Sequence, residues 1–432
     1  MSSSRRSVAN RLRNAVRGLR GDGRGWILIA VALGWAFTLG LRFLVPALLP
    51  QIKSTFEVTN ATAGLAITTL WVGYALMQFP AGVLIDRIGE RTLLTTSLCL
   101  SGVSLCLIGL SPVFVVFFAG STAFGLGSGL YGPSRGTVLS RTYTRNAGAA
   151  FGVTLAVGSI GSAVLPNVAT TVVGKIGWRY ILAGLSIPFF VVAVLAWRVV
   201  PERLGTTRGE STDGGVEEST HGGNLDSESA DGEPADTALF DRRMLRDIVR
   251  TLSDRSIFLA VVSMALLLFV FQGLTAFLPT YLQTKGMSQQ TAALLFGVMF
   301  IAGAVSQIAA GGAADRIGVK PVLLAVTAIG VVTPVALTLA SGTAVLAVVV
   351  SILGTRMAIV PVNNAYVVRA LPEHIEGSAW GFLRTGFFLV GSTGSTFVGY
   401  FVDANRFDFA FLVLAGLSAI ALGLYTMLPD AE

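Results

Sequence analysis

Arg42, Arg135, Arg356 and Arg384 each fall inside a long apolar run, and no such run carries an Asp, Glu, His or Lys in its interior. An ionisable side chain at mid-depth in a bilayer costs ~2.5–3.5 kcal/mol on insertion scales, so residues kept there are suspects for function. Positive charges with no fixed carboxylate to meet them call for an anion. A guanidinium keeps its proton in a poorly solvated cavity and presents a planar fork of donors that matches a carboxylate with two parallel hydrogen bonds. Arg42 lies well inside its run, in LGLRFLVPALLP, and Arg356 lies near the middle of another. Arg135 and Arg384 lie nearer run ends, within reach of the headgroups by snorkelling. Tyr74 and Asn363 are added as substrate-contact candidates, with Trp35, Gln78, Tyr131, Gln272, Gln307 and Asn364 as supporting side chains. For each of these, hydrogen bonding between helices is the competing role.

Other chemistries find little to work with. No run holds paired carboxylates, a His-based metal set or a Ser-His pair, and the chain has no Gly-x-x-x-x-Gly-Lys-Ser/Thr phosphate loop. Cys99 and Cys106 lie on one run, about 10 Å apart along a helix, too far for a disulfide. The chain is therefore expected not to be an enzyme and to need no cofactor or metal.

The runs that carry the arginines dominate the composition. Hydrophobic residues make up 53% and charged residues 13% of the chain, where a soluble protein would carry about a quarter charged. The fold expected is an all-α polytopic membrane protein. Runs near 20 residues occur at about 26–50, 61–85, 92–110, 113–138, 149–173, 179–200, 256–281, 289–313, 321–340, 343–367, 378–402 and 408–428. The net charge of +7 does not point to nucleic acid, because seven arginines precede the first run and hold that end in the cytoplasm. With alternating loops, the inner loops and tails hold 22 Lys/Arg, and the outer loops hold five: Lys53, Lys175, Arg179, Lys285 and Arg406. Both termini are thus expected in the cytoplasm of a plasma-membrane protein.

The chain also repeats itself. PAGVLIDRIGERTLL, from Pro80 to Leu94, returns as AGGAADRIGVKPVLL, with Asp315, Arg316 and Gly318 standing 229 residues after Asp86, Arg87 and Gly89. Pro50 and Pro279, Thr59 and Ser288, Gly125 and Gly354, and Gly152 and Gly381 keep the same offset. Six runs per copy place both copies the same way up, so the repeats are parallel. The divisions expected are a basic tail (1–25), a six-helix bundle (26–200), an acidic linker (201–255), a second bundle (256–428) and a short tail (429–432). Residues 203–236 are rich in Gly, Ser, Thr, Asp and Glu, a composition that buries too little apolar surface to offset the entropy of ordering.

Residues Gly82 to Arg91 (GVLIDRIGER), their weaker copy from Gly311 to Lys320, and Gly177, Trp178 and Arg179 before the sixth run resemble the major facilitator superfamily. The likeness covers essentially all of the chain outside tail and linker. It implies two six-helix halves around a central substrate site. It also implies a latch between the halves in the outward-facing state, built from Gly82, Asp86, Arg87, Gly89, Arg91, Asp315, Arg316 and Gly318. Glu90 departs from the basic residue usual at its position. Ser121 stands where proton-coupled members often carry an arginine, four residues before Gly125 and Gly127. The fifth run keeps Gly152, Gly161 and Pro166 but has Leu165, Ala169 and Thr170 where drug antiporters differ. Arg42 followed by Pro46 and Pro50, with Gly132, Pro133 and Arg135 on the fourth run, is similar to the organic-anion and nitrate-type branches.

The expectation is a monomeric carrier, with membrane lipid and a small anion, above all a carboxylate, as its partners, working by alternating access. A drug or sugar exporter and a transporter-shaped solute sensor are the rivals.

Overall fold

The Asp-Arg-Ile-Gly turns show how the sequence cuts its helices. At each turn a glycine adopts a positive φ, 79° at Gly89 and 92° at Gly318, which an L side chain rarely tolerates. Their N–H groups close the preceding helices on Ile85 and Ala314, and a new helix begins one residue later. The two copies also share their helix starts. Thr59 and Ser288 cap the following helices with side-chain oxygens that accept from the N–H groups of Thr62 and Thr291, at 3.2 and 3.1 Å.

The computed structural model of the chain describes residues 24–144, 146–202, 254–371 and 376–429. The basic tail, most of the acidic linker and the last three residues lie outside the described residues. All regular secondary structure among the described residues is helical, with no strand. In order the helices are α1 (Arg24–Ala47), α2 (Leu49–Phe56), α3 (Asn60–Leu76), α4 (Gln78–Ile88), α5 (Glu90–Gly109), α6 (Phe114–Thr142) and α7 (Ala147–Val199). There follow α8 (Arg255–Thr284), α9 (Gln289–Ile317), α10 (Val319–Leu339), α11 (Thr343–Gly354), α12 (Ile359–Ala370), α13 (Glu376–Ser392), α14 (Gly394–Asp403) and α15 (Phe407–Thr426).

Twelve spans emerge when broken helices are joined and a merged one is divided. The first span is α1 with α2. The second is α3 with α4, bent by 42° at Met77. Gly177, with φ 77° and ψ 151°, splits α7 into the fifth and sixth spans. The tenth is interrupted by a 3₁₀ turn, Thr355–Ala358, between α11 and α12, and the eleventh breaks at Thr393 between α13 and α14. Except at Gly177, where the runs already divide, the sequence pattern predicts a continuous helix at each of these places, because apolar periodicity reports length and not local breaks.

The two faces of the molecule can be read from contacts. On one, the Tyr143 hydroxyl donates to the carbonyl of Arg24, Glu90 pairs with Arg141 at 3.0 Å, and Arg91 pairs with Glu202 at 3.2 Å. This face carries the described ends of the chain and both Asp-Arg-Ile-Gly turns. On the opposite face the two halves meet. Gln51 donates to Gln289 at 2.6 Å, and Asp403 takes N–H groups of Asn60 and Ala61 at 2.7 and 2.8 Å. Deeper in, Thr68 bonds Ser395 and Thr396 at 2.9 and 2.7 Å, and Asn167 donates to the carbonyl of Ala293 at 3.0 Å. Toward the terminal face the hydrogen bonds between the halves end, among the described residues, at Thr385, which donates to the carbonyl of Ala75 at 3.3 Å. The halves are closed on the loop face and open on the terminal face.

Candidate functional site

Arg42 is seated by aromatic rings. The first span turns its side chain toward the second, where the guanidinium carbon lies 3.8 Å from the ring centre of Tyr74 and 5.1 Å from that of Trp71. Trp35, two turns back on α1, lies 5.8 Å away on another side. Such cation–π contacts are worth about 0.5–2 kcal/mol each and compensate part of the cost of burial. This guanidinium donates from Nη2 to the carbonyl of Ser128 at 3.3 Å and also meets the Tyr74 side chain, while its Nε has no partner among the described residues.

Arg135 comes from α6 and lies over the Trp35 ring at 4.2 Å, with Nε and Nη1 both buried and without a partner among the described residues. Arg384, on α13, lies 5.8 Å from the Phe388 ring, which packs edge-on against Tyr74 and parallel to Trp71. Arg42, Arg135 and Arg384 are all close enough to act electrostatically on Tyr74. Arg356 stands in the 3₁₀ turn of the tenth span, 5% exposed, with Nη1 lacking a partner among the described residues.

All four arginines line one cavity of about 330 Å³ between the halves. Depth along the sequence places Arg135 and Arg384 near the headgroups; the structure turns both inward instead, because the rings of Trp35 and Phe388 offer their cations a closer seat. Tyr74 lines the cavity as well. Asn363 does not. Its side chain accepts from Tyr425 at 2.9 Å inside the packing of the second half, and the next residue, Asn364, faces the cavity. One residue turns about 100° on a helix, so a run of two asparagines cannot reveal which one faces inward. Trp35, Gln272 and Gln307 also line the cavity, whereas Gln78 Nε2 and the Tyr131 hydroxyl donate to neighbouring backbone carbonyls. Phe43, Trp71, Phe271 and Phe388 were not distinguishable in the sequence from the many other apolar residues of their runs.

No acidic side chain lines this cavity among the described residues. Its chemistry is therefore that of a donor-rich, positively charged pocket with apolar walls. A larger groove of about 600 Å³ lies on the loop face, but Lys53, Lys285 and Asp408 there already hold hydrogen bonds to Asn60, Thr338 and Tyr281.

The residues of the two turns occupy the open face. Among the described residues Asp86, Arg87, Asp315 and Arg316 form no ion pair across the halves. Arg91 pairs with Glu202 and lies 4.0 Å from the Trp197 ring, within its own half. Glu90 is buried and binds Arg141, tying α5 to α6, a role that its neighbours in sequence do not announce.

Comparison with known proteins adds a family. The profile of the Major Facilitator Superfamily matches residues 27–392 and, in a second register, 286–432. The gentisate transporter of Corynebacterium glutamicum is 25% identical over 413 residues, 91% of this chain and 86% of that protein. A probable sulfoacetate transporter of Cupriavidus necator is 25% identical over 397 residues, 86% of each chain. A shorter match spans 161 residues, 37% of this chain but only 32% of the human protein SVOPL, at 24% identity. Among solved structures, a bacterial homologue of the human lysosomal transporter Spinster, in an inward-facing and unoccupied conformation, superposes with a TM-score of 0.72. It is 15% identical and covers 94% of this chain and 97% of its own.

Proposed function

The chain belongs to the Major Facilitator Superfamily, and we propose that it carries a small organic anion, a carboxylate, across the plasma membrane by alternating access. The observation that carries this reading is the convergence of Arg42, Arg135, Arg356 and Arg384 on one cavity that no acid lines among the described residues. A cation would meet four like charges there. A neutral solute would leave those charges desolvated and unpaired, the costly case for a buried ion. An anion supplies the missing counter-charge, and because the arginines come from both halves it draws them together as it binds. Relatives named for gentisate and sulfoacetate support an anionic solute. With both termini in the cytoplasm, the open face is the inner one and the state is inward-facing.

Uptake into proteoliposomes, tested with a panel of carboxylates, sugars and amines, checks the reading. Wild-type protein is expected to move carboxylates alone. Arg42→Lys, which keeps the charge but loses the planar fork, should slow that uptake about tenfold or more. Normal uptake by Arg42→Gln, or transport of an amine in place of an acid, refutes the reading.

A further inference from the structure

Positive charge on the loop face gathers in the groove of about 600 Å³, apart from the central cavity. Of the five Lys/Arg assigned to outer loops, Lys53, Lys285 and Arg406 line it. They come from three segments: Lys53 from α2, Lys285 from the end of α8, and Arg406 from the turn before α15. Each ammonium group is anchored by one bond. Lys53 donates to the Asn60 side chain and Lys285 to the Thr338 carbonyl at 2.9 Å, so each keeps two of its three donors. The Arg406 side chain makes no hydrogen bond or ion pair among the described residues. The Thr280 hydroxyl, also on the wall, is buried without a partner among the described residues.

Acids do not cancel this charge. Asp408 is the one acid that lines the groove among the described residues, and its carboxylate accepts from the Tyr281 hydroxyl. Asp403, close enough to act on Lys53, is committed to the N–H groups of Asn60 and Ala61. Three cations against one acid leave the groove lining two charges positive. The N-terminus of α15 opens there without a side-chain cap, and its dipole adds to the same sign.

We infer that this groove is a second anion site, which takes a compact multivalent oxyanion of the phosphate type and thereby holds the loop face closed. Ammonium groups act as point charges on phosphate, and the Arg406 fork can span two of its oxygens. An excess of two charges calls for at least a dianion, which the single charge of a phosphodiester headgroup does not supply. The groove amounts to roughly twenty water volumes, enough for a pyrophosphate with part of its hydration. It lies astride the halves, with Lys53 and Asn60 from the first and Lys285 and Arg406 from the second. An anion bound to both sides draws them together, whereas parting of the loop face dismantles the site. Asn60 joins the groove to the contact between the halves, since it accepts from Lys53 and donates to Asp403. A ligand that binds the closed face alone, at about ten times its Kd, lowers the open population about tenfold. None of this depends on which solute the central cavity carries.

The test uses the purified full chain in uncharged detergent, with Cys99 and Cys106 replaced and Gln51→Cys as reporter. Gln51 is half-buried and pairs with Gln289 across the closed face, so a maleimide reaches a cysteine there when the face opens. Inorganic pyrophosphate, set against potassium chloride at equal ionic strength, should slow labelling about tenfold near saturation. The slowing should vanish in Arg406→Gln, which breaks no side-chain hydrogen bond or ion pair among the described residues. It should persist in Lys175→Gln, which removes an exposed outer-loop charge that does not line the groove. Labelling unaffected by pyrophosphate overturns the site and leaves the anion reading of the central cavity intact. Slowing that survives in Arg406→Gln also overturns it, as when pyrophosphate enters the central cavity instead. A last arm omits pyrophosphate and compares phosphatidylcholine vesicles with and without phosphatidylglycerol. Slowing by phosphatidylglycerol that is lost in Arg406→Gln would assign the groove to a lipid headgroup and overturn the free anion.

Discussion

Asp403 shows how one side chain can weigh on the whole transport cycle. Its carboxylate takes hydrogen bonds from the Asn60 N–H, the Asn60 amide and the Ala61 N–H, all on the other half, at 2.7, 2.7 and 2.8 Å. Burial pushes this carboxyl up, but the donors from Ala61, Asn60 and Thr59 outweigh it and hold the group below the ordinary carboxylate value. The closed loop face thus binds fewer protons at Asp403 than the open one, where the carboxyl is released to solvent. Its stabilisation of the closed face is complete above the ordinary carboxylate pKa of about 4 and is lost as pH falls through the lowered value. Acid should therefore open the loop face, and Asp403→Asn should open it at neutral pH and remove the acid response. Disulfide cross-linking between Gln51→Cys and Gln289→Cys, with Cys99 and Cys106 replaced, measures this. An unchanged yield in Asp403→Asn would show that the carboxylate does not hold the halves. The site arginines are legible at this same scale, since a charge in an apolar run is conspicuous; their common destination is not, because it depends on which rings receive them.

Closure of the loop face is also an affair of helices that touch backbone to backbone. A Cβ at Gly64, on α3, would lie 2.6 Å from the Ser395 carbonyl oxygen, and one at Gly399, on α14, 2.4 Å from that of Asn60. Helices associate in a membrane through such close packing, since lipid supplies no hydrophobic drive between them. Gly399→Val should force the second and eleventh spans apart, cut the 51–289 cross-link severalfold and slow transport, whereas Gly416→Val, with nothing within 4 Å of its Cβ position, should leave both near wild type. An intact cross-link in Gly399→Val would contradict the packing argument. The breaks at Met77 and at Thr355–Ala358 belong to this scale as well. Met77 lies one turn from Tyr74, and the 3₁₀ turn carries Arg356, so both interruptions flank the cavity. Short 3₁₀ segments inside helices often mark hinges, and discontinuous spans recur at transporter sites.

For the molecule as a whole, the open terminal face explains why the two Asp-Arg-Ile-Gly turns make no cross-half ion pair among the described residues. Their proposed latch belongs to the other state. Asp86→Asn is accordingly expected to slow cycling by favouring the present state, while equilibrium binding of the solute stays within about threefold, because the turn is remote from the cavity. Single-turnover exchange set beside equilibrium binding separates the two effects. Loss of binding with normal exchange would place Asp86 in the site instead. Direct contact between the halves is concentrated on the loop face and along the second and eleventh spans, where Thr385 donates to the Ala75 carbonyl at 3.3 Å. A bilobed molecule held mainly at one end can rock about the solute with little internal repacking.

The sequence alone determined the all-α membrane class, the twelve spans and the parallel repeat, because each rests on local chemistry. Long apolar runs must be helical in hydrocarbon, a positive φ favours glycine, and a hydroxyl at a helix start can cap it. It also marked the four arginines, since an unpaired charge is visible without neighbours. Only the tertiary structure decided that they share a cavity, that Asn364 and not Asn363 faces it, that Glu90 binds Arg141, and that Asp403 spans the halves over 343 residues of chain. Those outcomes depend on helix rotation and on contacts between distant segments. A difference of one residue turns a side chain from a cavity to a core, and no local pattern records which helix stands opposite.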